Sequence, residues 1–128
     1  MKTGLILFAH GARDPAWAAP FEAVAARVRR ARPAAEVRLA FLEFMAPTLP
    51  EAGAALAAAG CAQVAVLPLF LGAGGHVRKD LPKLVEALRE AHPAVAFTLH
   101  GAVGEDDSVI AAMAEAAART LTSPPGAT

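Results

Sequence analysis

Four short apolar segments alternate along the chain with four longer segments that have helical periodicity. The apolar segments span residues 4–9, 36–41, 64–70 and 94–100. Short runs that are apolar on both faces are typical of buried strands in a parallel sheet. The alternation predicts a single doubly wound α/β domain, in which a four-stranded parallel sheet carries helices on both faces. Ligands of such sheets bind beside the carboxyl ends of the strands.

Capping signals place the helices between these strands. Asp14, followed by a proline, predicts the start of the first helix, and Thr48 with Glu51 three residues later matches a capping box for the second. Asp80 is predicted to cap the third helix. The last helix spans about residues 107–121 and is predicted to pack through Ile110, Met113, Ala117 and Leu121.

Length and composition exclude several classes of protein. A chain of 128 residues fits one domain, and we expect residues 1–122 to form it and residues 123–128 to be a disordered tail. Twelve basic and twelve acidic residues give a net charge of zero, so no global field attracts nucleic acid or an anionic membrane. No apolar run approaches the roughly 18 residues that a membrane span requires. Cys61 is the one cysteine, which excludes an internal disulfide and suits a reducing cytoplasm.

Potential metal ligands follow the predicted strands. His10 follows the first strand, Glu43 the second and His76 the third, while His100 ends the fourth. Each of them taken alone is an ordinary polar loop residue. Because the carboxyl ends of parallel strands meet at one edge, however, we expect His10, Glu43 and His76 to converge. Mixed histidine and carboxylate ligands suit Co²⁺, Fe²⁺, Ni²⁺ or Zn²⁺, and two or three ligands leave coordination positions open.

A glycine-rich loop and several basic side chains accompany these candidates. The loop, residues 71–75, lets backbone approach a ligand closely, but it lacks the full dinucleotide fingerprint, which argues against NAD. Arg13, Arg78 and Lys79 flank the two histidines and would meet the carboxylates of a ligand, although solvated surface charge is the simpler explanation. Trp17 is placed to stack on a flat ligand, and His92, at a helix end, is interpreted as structural.

Three segments in one order give a more specific signal. They read LFAHGARDP at residues 7–15, FLEFMAPTLP at residues 41–50 and LPLFLGAGGHVRKDLP at residues 67–82. In order and spacing they resemble the motifs of the short sirohydrochlorin cobaltochelatases of the CbiX type. The resemblance runs from about residue 5 to residue 82. It implies a class II chelatase that inserts a divalent metal ion into sirohydrochlorin in cobalamin or siroheme-type tetrapyrrole biosynthesis.

The resemblance also implies roles for individual residues. His10 and His76 match the metal-binding histidines, with His10 as the proton acceptor, and Glu43 matches an acidic residue that assists metal or proton handling. The positions that match substrate contacts are Met45, Ala46, Phe70, Leu71, Gly72, Ala73, Gly74 and Gly75. Arg13 and Arg78 are expected to hold the substrate's carboxylates. The divalent metal ion, Co²⁺ or alternatively Fe²⁺ or Ni²⁺, is then a substrate, no organic cofactor is expected, and the family's short members imply a homodimer.

Two other functions use the same residues. Neutral histidine is both a metal ligand and a base with an ordinary pKa of about 6.5, which suits metal insertion. The same ligands would also serve a carrier that binds a metal ion or a tetrapyrrole without turnover. Histidine phosphatases likewise have His-Gly after a first strand, but they place Arg directly before the histidine, where this chain has Ala9. Release of phosphate would identify a phosphatase.

Overall fold

The four apolar segments form one parallel sheet, as the sequence predicts. The strands are β1 (Thr3–Ala9), β2 (Glu36–Phe41), β3 (Gln63–Pro68) and β4 (Ala96–Leu99), in the spatial order β2-β1-β3-β4. The helices are α1 (Ala19–Ala31), α2 (Leu49–Ala58), α3 (Gly75–Ala91) and α4 (Asp107–Arg119), with short 3₁₀ helices at Pro15–Ala18 and Val103–Glu105. This computed structural model describes residues 1–72 and 74–121. The loop residue Ala73 and the expected tail at 123–128 lie outside the described residues.

The central strand β1 buries side chains on both faces. Ile6 and Phe8 belong to the larger core cluster, which α2 and α3 cover, while Leu7 packs with Val37 and Ala25 beneath α1. Strong burial on both faces explains why β1 is an unbroken apolar run rather than an alternating one. The sheet is therefore doubly wound, with α1 on one face and α2 and α3 on the other.

The capping signals are correct for two helices. Asp14 accepts a hydrogen bond from the Ala16 amide at 2.9 Å and begins the 3₁₀ helix that leads into α1. Thr48 and Glu51 form the reciprocal capping box of α2, with the Thr48 amide donating to Glu51 Oε1 at 2.8 Å. The cap of the third helix is different: α3 begins at Gly75, so Asp80 lies within it and Pro82 is an interior proline.

Two further expectations need correction. β4 is shorter than residues 94–100, because the Val95 amide donates to the His92 carbonyl in the turn that precedes the strand. α4 ends at Arg119 and buries none of its residues, and Leu121 beyond it is exposed, so the expected packing through Ile110, Met113, Ala117 and Leu121 is wrong. The main neighbour of α4 is the 3₁₀ helix from which it emerges. None of the helices in the described part of the chain combines the length and apolarity that crossing a membrane would require.

Candidate functional site

The candidate site lies where β1, β2 and β3 end side by side. Hydrogen bonds between the backbones continue past the strands: the Leu42 amide donates to the Ala9 carbonyl at 2.9 Å and the Glu43 amide to the His10 carbonyl at 3.1 Å. On the other side of β1, the Leu69 amide donates to the Phe8 carbonyl at 2.8 Å. The backbone therefore fixes the positions from which the side chains of His10 and Glu43 emerge.

The side chains of His10 and Glu43 form a hydrogen-bonded pair. His10 Nε2 lies 3.0 Å from Glu43 Oε1, and both side chains are about half exposed. An ionised carboxylate only accepts hydrogen bonds, so Nε2 carries the proton that is donated to it. A neutral ring in this tautomer keeps its lone pair on Nδ1. That nitrogen is then available to bind a cation or to accept a proton.

Gly11 allows the two segments to approach closely. Its φ is +94°, in the region that side chains rarely adopt, and a Cβ at this position would overlap the Glu43 carbonyl oxygen. The same atom would lie only 3.1 Å from the Glu43 carbonyl carbon. A glycine is therefore required here both for its backbone conformation and for its lack of a side chain.

Phe70 forms the wall of the site on the β3 side. Its ring meets the His10 ring edge-on, with 6.2 Å between centroids, and rests on Phe8 in the core. The carbonyl of Phe70 accepts a hydrogen bond of 2.9 Å from the Gly104 amide. A Cβ on Gly104 would overlap the backbone of Leu71, so the 3₁₀ helix Val103–Glu105 packs directly against the loop after β3. No pattern in the sequence indicates this role of Gly104.

Apolar and basic side chains surround the histidine–glutamate pair. Phe44 and Leu71 are 56% and 67% exposed, which is unusual for large apolar side chains. The Arg13 guanidinium lies over the Phe44 ring, 4.7 Å from its centroid. Arg78 forms an ion pair with Glu105 at 3.4 Å. The rim thus combines apolar surface with two guanidinium groups, and neither Phe44 nor Glu105 was among the residues expected to contact substrate.

Neither of the two remaining histidine candidates joins the pair in a three-ligand group within the described residues. His76 is exposed in the first turn of α3, not in a loop as expected, because the helix begins one residue before it. His100 follows β4, which β3 separates from β1. Among residues 1–72 and 74–121, no three His, Cys, Asp or Glu side chains lie close enough to hold one metal ion. The structure therefore brings His10 and Glu43 together but does not place His76 in a three-ligand group with them.

The other predicted substrate contacts differ in how far they are exposed. The exposed ones are Ala46, Leu71, Gly72, Gly74 and Gly75. Met45 is half buried, Phe70 is buried, and Ala73 lies outside the described residues. Trp17 contacts Phe21 at a tilt of 42°, with 4.6 Å between ring centroids, and the half-buried ring packs on the core cluster around Phe41. His92 caps the end of α3 beside Phe97, in keeping with its structural interpretation.

Comparison with known proteins identifies relatives of this arrangement. The chain is 32% identical over 84 residues to a sirohydrochlorin cobaltochelatase of Methanosarcina acetivorans, a match that covers 66% of this chain and 65% of that protein. It is 35% identical over 82 residues to a protein of the same name from Saccharolobus solfataricus, covering 64% of this chain and 62% of the relative. These matches therefore span slightly less than two thirds of each relative's length.

Solved structures and a family comparison extend the similarity to nearly the whole chain. A CbiX protein from Marinobacter aquaeolei VT8 superposes with a TM-score of 0.83 at 30% identity, covering 93% of this chain and 97% of that one. SirB from Bacillus subtilis, solved with Fe³⁺, superposes with a TM-score of 0.76 at 25% identity, covering 97% of this chain but 49% of SirB. The sequence model of the CbiX family matches residues 4–120. This chain belongs to the CbiX family.

Proposed function

We propose that the protein is a chelatase that inserts a divalent metal ion into sirohydrochlorin, with Co²⁺ as the first candidate and Fe²⁺ or Ni²⁺ as alternatives. Membership of the CbiX family and relatives named sirohydrochlorin cobaltochelatase support this proposal. The observation that carries it is the pair of His10 and Glu43 at the carboxyl ends of neighbouring parallel strands. The metal ion is a substrate of this reaction, which needs no organic cofactor.

His10 is proposed as the proton acceptor. Insertion of a divalent ion replaces two pyrrole N–H protons of the macrocycle, so the reaction needs a base close to the pyrrole nitrogens. With Nε2 donating to Glu43, the free Nδ1 of His10 accepts such a proton, and the adjacent carboxylate stabilises the imidazolium that results. Both side chains are half exposed, so the protons pass on to water.

His10 and His76 are proposed as the ligands that deliver the metal ion. β3 ends at Pro68 and α3 begins at Gly75, so His76 lies at the same edge of the sheet as His10. Imidazole nitrogen suits each of Co²⁺, Fe²⁺ and Ni²⁺. Two protein ligands leave coordination positions for the macrocycle nitrogens, so the metal ion passes readily to the macrocycle. Nδ1 of His10 accepts a proton only after the metal ion has left it, since Nε2 is engaged by Glu43.

The rim of the site suits a flat macrocycle that carries carboxylates. Phe44 and Leu71 present apolar surface on either side of the histidine–glutamate pair. Arg13 and Arg78 place guanidinium groups where the carboxylates at the macrocycle's edge would lie. We assign substrate contact to this rim and to the loop from Phe70 to Gly75, together with Met45 and Ala46.

We further propose that the protein forms a homodimer and acts in the cytoplasm. One sheet edge offers one wall to a broad, flat ligand, and a second copy related by a two-fold axis supplies the other. SirB is about twice as long as the part that this chain matches, which leaves a second half of equal size in that polypeptide. The single, buried free thiol of Cys61 is compatible with a reducing compartment.

Metal insertion into sirohydrochlorin tests the proposal directly. The purified protein is incubated anaerobically with sirohydrochlorin and each of the three metal ions, and the absorbance change is compared with that of a sample without protein. We expect multiple turnovers, and a loss of rate of about 100-fold or more for His10→Ala and for His76→Ala. Glu43→Gln should lose less, because the amide still orients the ring but stabilises its charged form poorly.

His92→Ala is the matched control. This histidine lies at the far end of α3, where its ring contacts Phe97, and its loss should leave the rate unchanged. Binding of one metal ion or one macrocycle per protein without acceleration would identify a carrier instead. A full rate in both His10→Ala and His76→Ala would contradict the proposed site.

A further inference from the structure

Phe44 adopts a backbone conformation that a bulky residue rarely takes. Its φ is +67°, and within residues 1–72 and 74–121 it is the one residue other than glycine with a positive φ. A side chain makes this left-handed region unfavourable, because its Cβ comes too close to the following carbonyl oxygen. The Phe44 side chain is also 56% exposed. Burial of the ring therefore does not offset the backbone strain.

The backbone on either side of Phe44 holds it in this conformation. The Glu43 amide donates to the His10 carbonyl at 3.1 Å, and the Phe41 amide donates to the Pro47 carbonyl at 2.9 Å. The first hydrogen bond joins the loop to the segment after β1, and the second closes the loop on itself between β2 and α2. Strained residues persist where the surrounding structure fixes them in this way, and they cluster at functional sites.

The exposed ring holds the side chain of Arg13. The guanidinium carbon of Arg13 lies 4.7 Å from the centroid of the Phe44 ring, within the range of cation–π attraction. In the described part of the chain, Arg13 forms no ion pair and no side-chain hydrogen bond, whereas Arg78 is paired with Glu105. The contact with Phe44 therefore leaves the N–H donors of Arg13 available to a ligand.

The Arg13–Phe44 contact lies beside the pair proposed to act on the substrate. Arg13 comes three residues after His10, and Phe44 directly follows Glu43. The contact thus joins the same two segments as the hydrogen bond between His10 and Glu43. An unrestrained arginine side chain has many rotamers, and binding a carboxylate fixes one of them at a cost in entropy. A ring that already holds the guanidinium lowers this cost.

We propose that Phe44 is a positioning residue, which holds the Arg13 guanidinium at the rim of the site where a carboxylate of the macrocycle binds it. This inference rests on the proposed substrate but not on the metal-insertion step. Because the ring acts through Arg13, its loss weakens binding of the macrocycle and leaves the rate of the bound complex unchanged. The strained backbone of Phe44 is explained in the same way, since it directs the ring towards solvent rather than into the core.

Equilibrium binding of sirohydrochlorin in the absence of metal ions tests the inference. Phe44→Leu keeps an apolar side chain but lacks the ring, so its dissociation constant should rise about fivefold. Phe44→Trp supplies a ring again and should stay within about twofold of the parent protein. Arg13→Ala should raise the dissociation constant at least about tenfold, and addition of Phe44→Leu to Arg13→Ala should cause no further loss. In the insertion assay, Phe44→Leu should raise KM and leave kcat unchanged.

Two further variants separate this role from a role in stability. Phe44→Asn removes the ring but tolerates the left-handed backbone, so its melting temperature should lie within about 3 °C of that of the parent or above it. A larger fall would assign the ring to the fold and overturn the inference. Phe21→Leu is the matched control, because this half-buried ring packs on Trp17 rather than on Arg13. Its dissociation constant should equal that of the parent.

The binding measurements also separate this inference from the proposed reaction. Equal affinity in Phe44→Leu and the parent, or a further loss when Phe44→Leu is added to Arg13→Ala, would overturn the role of Phe44 alone. A parent protein that binds sirohydrochlorin without inserting metal would overturn the reaction alone. A parent protein that does not bind sirohydrochlorin would overturn both.

Discussion

Replacing Gly11 with alanine should disable the site while the rest of the domain stays folded. At φ +94°, alanine is strained by roughly 1–2 kcal/mol relative to glycine. Its Cβ would also overlap the Glu43 carbonyl oxygen, so the two segments must separate. Their separation weakens the hydrogen bond of 3.1 Å between the Glu43 amide and the His10 carbonyl, at about 1 kcal/mol. We expect Gly11→Ala to lower the free energy of unfolding by about 2–3 kcal/mol in total.

The effect on the reaction should be larger than the effect on stability. Relief of the overlap displaces the backbone of Glu43 or His10, and a displacement of about 1 Å at reacting groups typically lowers a rate about 100-fold. The rate is measured as metal insertion at a temperature where thermal unfolding, followed by circular dichroism, shows the variant to be folded. The expected result is a folded protein with a rate reduced about 100-fold.

Gly60→Ala is the matched control for backbone strain. Gly60 has φ +88°, but a Cβ there would meet no atom within 4 Å, and the residue lies after α2, away from the site. This variant should therefore lose about 1–2 kcal/mol of stability and keep its rate. A full rate in Gly11→Ala, or an equal loss of rate in Gly60→Ala, would refute the argument that close approach at Gly11 positions the His10–Glu43 pair.

Three further predictions concern other parts of the domain. Burial raises the pKa of the Cys61 thiol, so the native protein should react with Ellman's reagent at pH 8 only after denaturant unfolds it. The hydrogen bond from the Thr48 amide lowers the pKa of Glu51 below its ordinary value of 4.5. The ionised Glu51 of the capping box therefore stabilises the fold above that pH, and this stability is lost as the pH falls through the folded-state pKa. When the urea midpoint of unfolding is measured against pH, Glu51→Gln should reduce its fall at acidic pH. Gly104→Ala should lower both the melting temperature and the apparent affinity for sirohydrochlorin, because its Cβ would displace the backbone of Leu71, and an unchanged KM would contradict that role of Gly104.

The strands could be predicted from the sequence because burial on both faces leaves a direct pattern. Leu5, Ile6, Leu7 and Phe8 are consecutive apolar residues, and the structure distributes them to the two faces of β1. The start of α3 could not be predicted in the same way. The helix begins after Gly74 with no side-chain cap, whereas Asp80 has the residue type of a cap but lies within the helix. Burial of Leu81 and Val85 against the sheet stabilises the helix despite the proline between them.

The composition of the site was predictable in part. Parallel strands bring their carboxyl ends to one edge, which is sufficient to predict that His10 and Glu43 share that edge. Their hydrogen bond requires in addition that β2 is the neighbour of β1, and the strand order follows from packing that no local pattern encodes. In the same strand order, β3 lies between β1 and β4, so His100 at the end of β4 is separated from β1. Gly11 and Gly104 act through close backbone contacts, which become visible only when the neighbouring segment is in place.

Helix α4 shows what an apolar pattern leaves undetermined. The helical spacing of the apolar residues Ile110, Met113 and Ala117 correctly predicts a helix, because periodicity depends only on the chain itself. The pattern indicates that one side of the helix is buried, but it does not indicate which surface buries that side. A surface of the same chain and a surface of a second copy are equally compatible with it. The sheet face formed by Ala65 and Leu67 of β3 and by Ala96 and Thr98 of β4 raises the same question, because α1 packs mainly on β2 and leaves these side chains at least partly exposed.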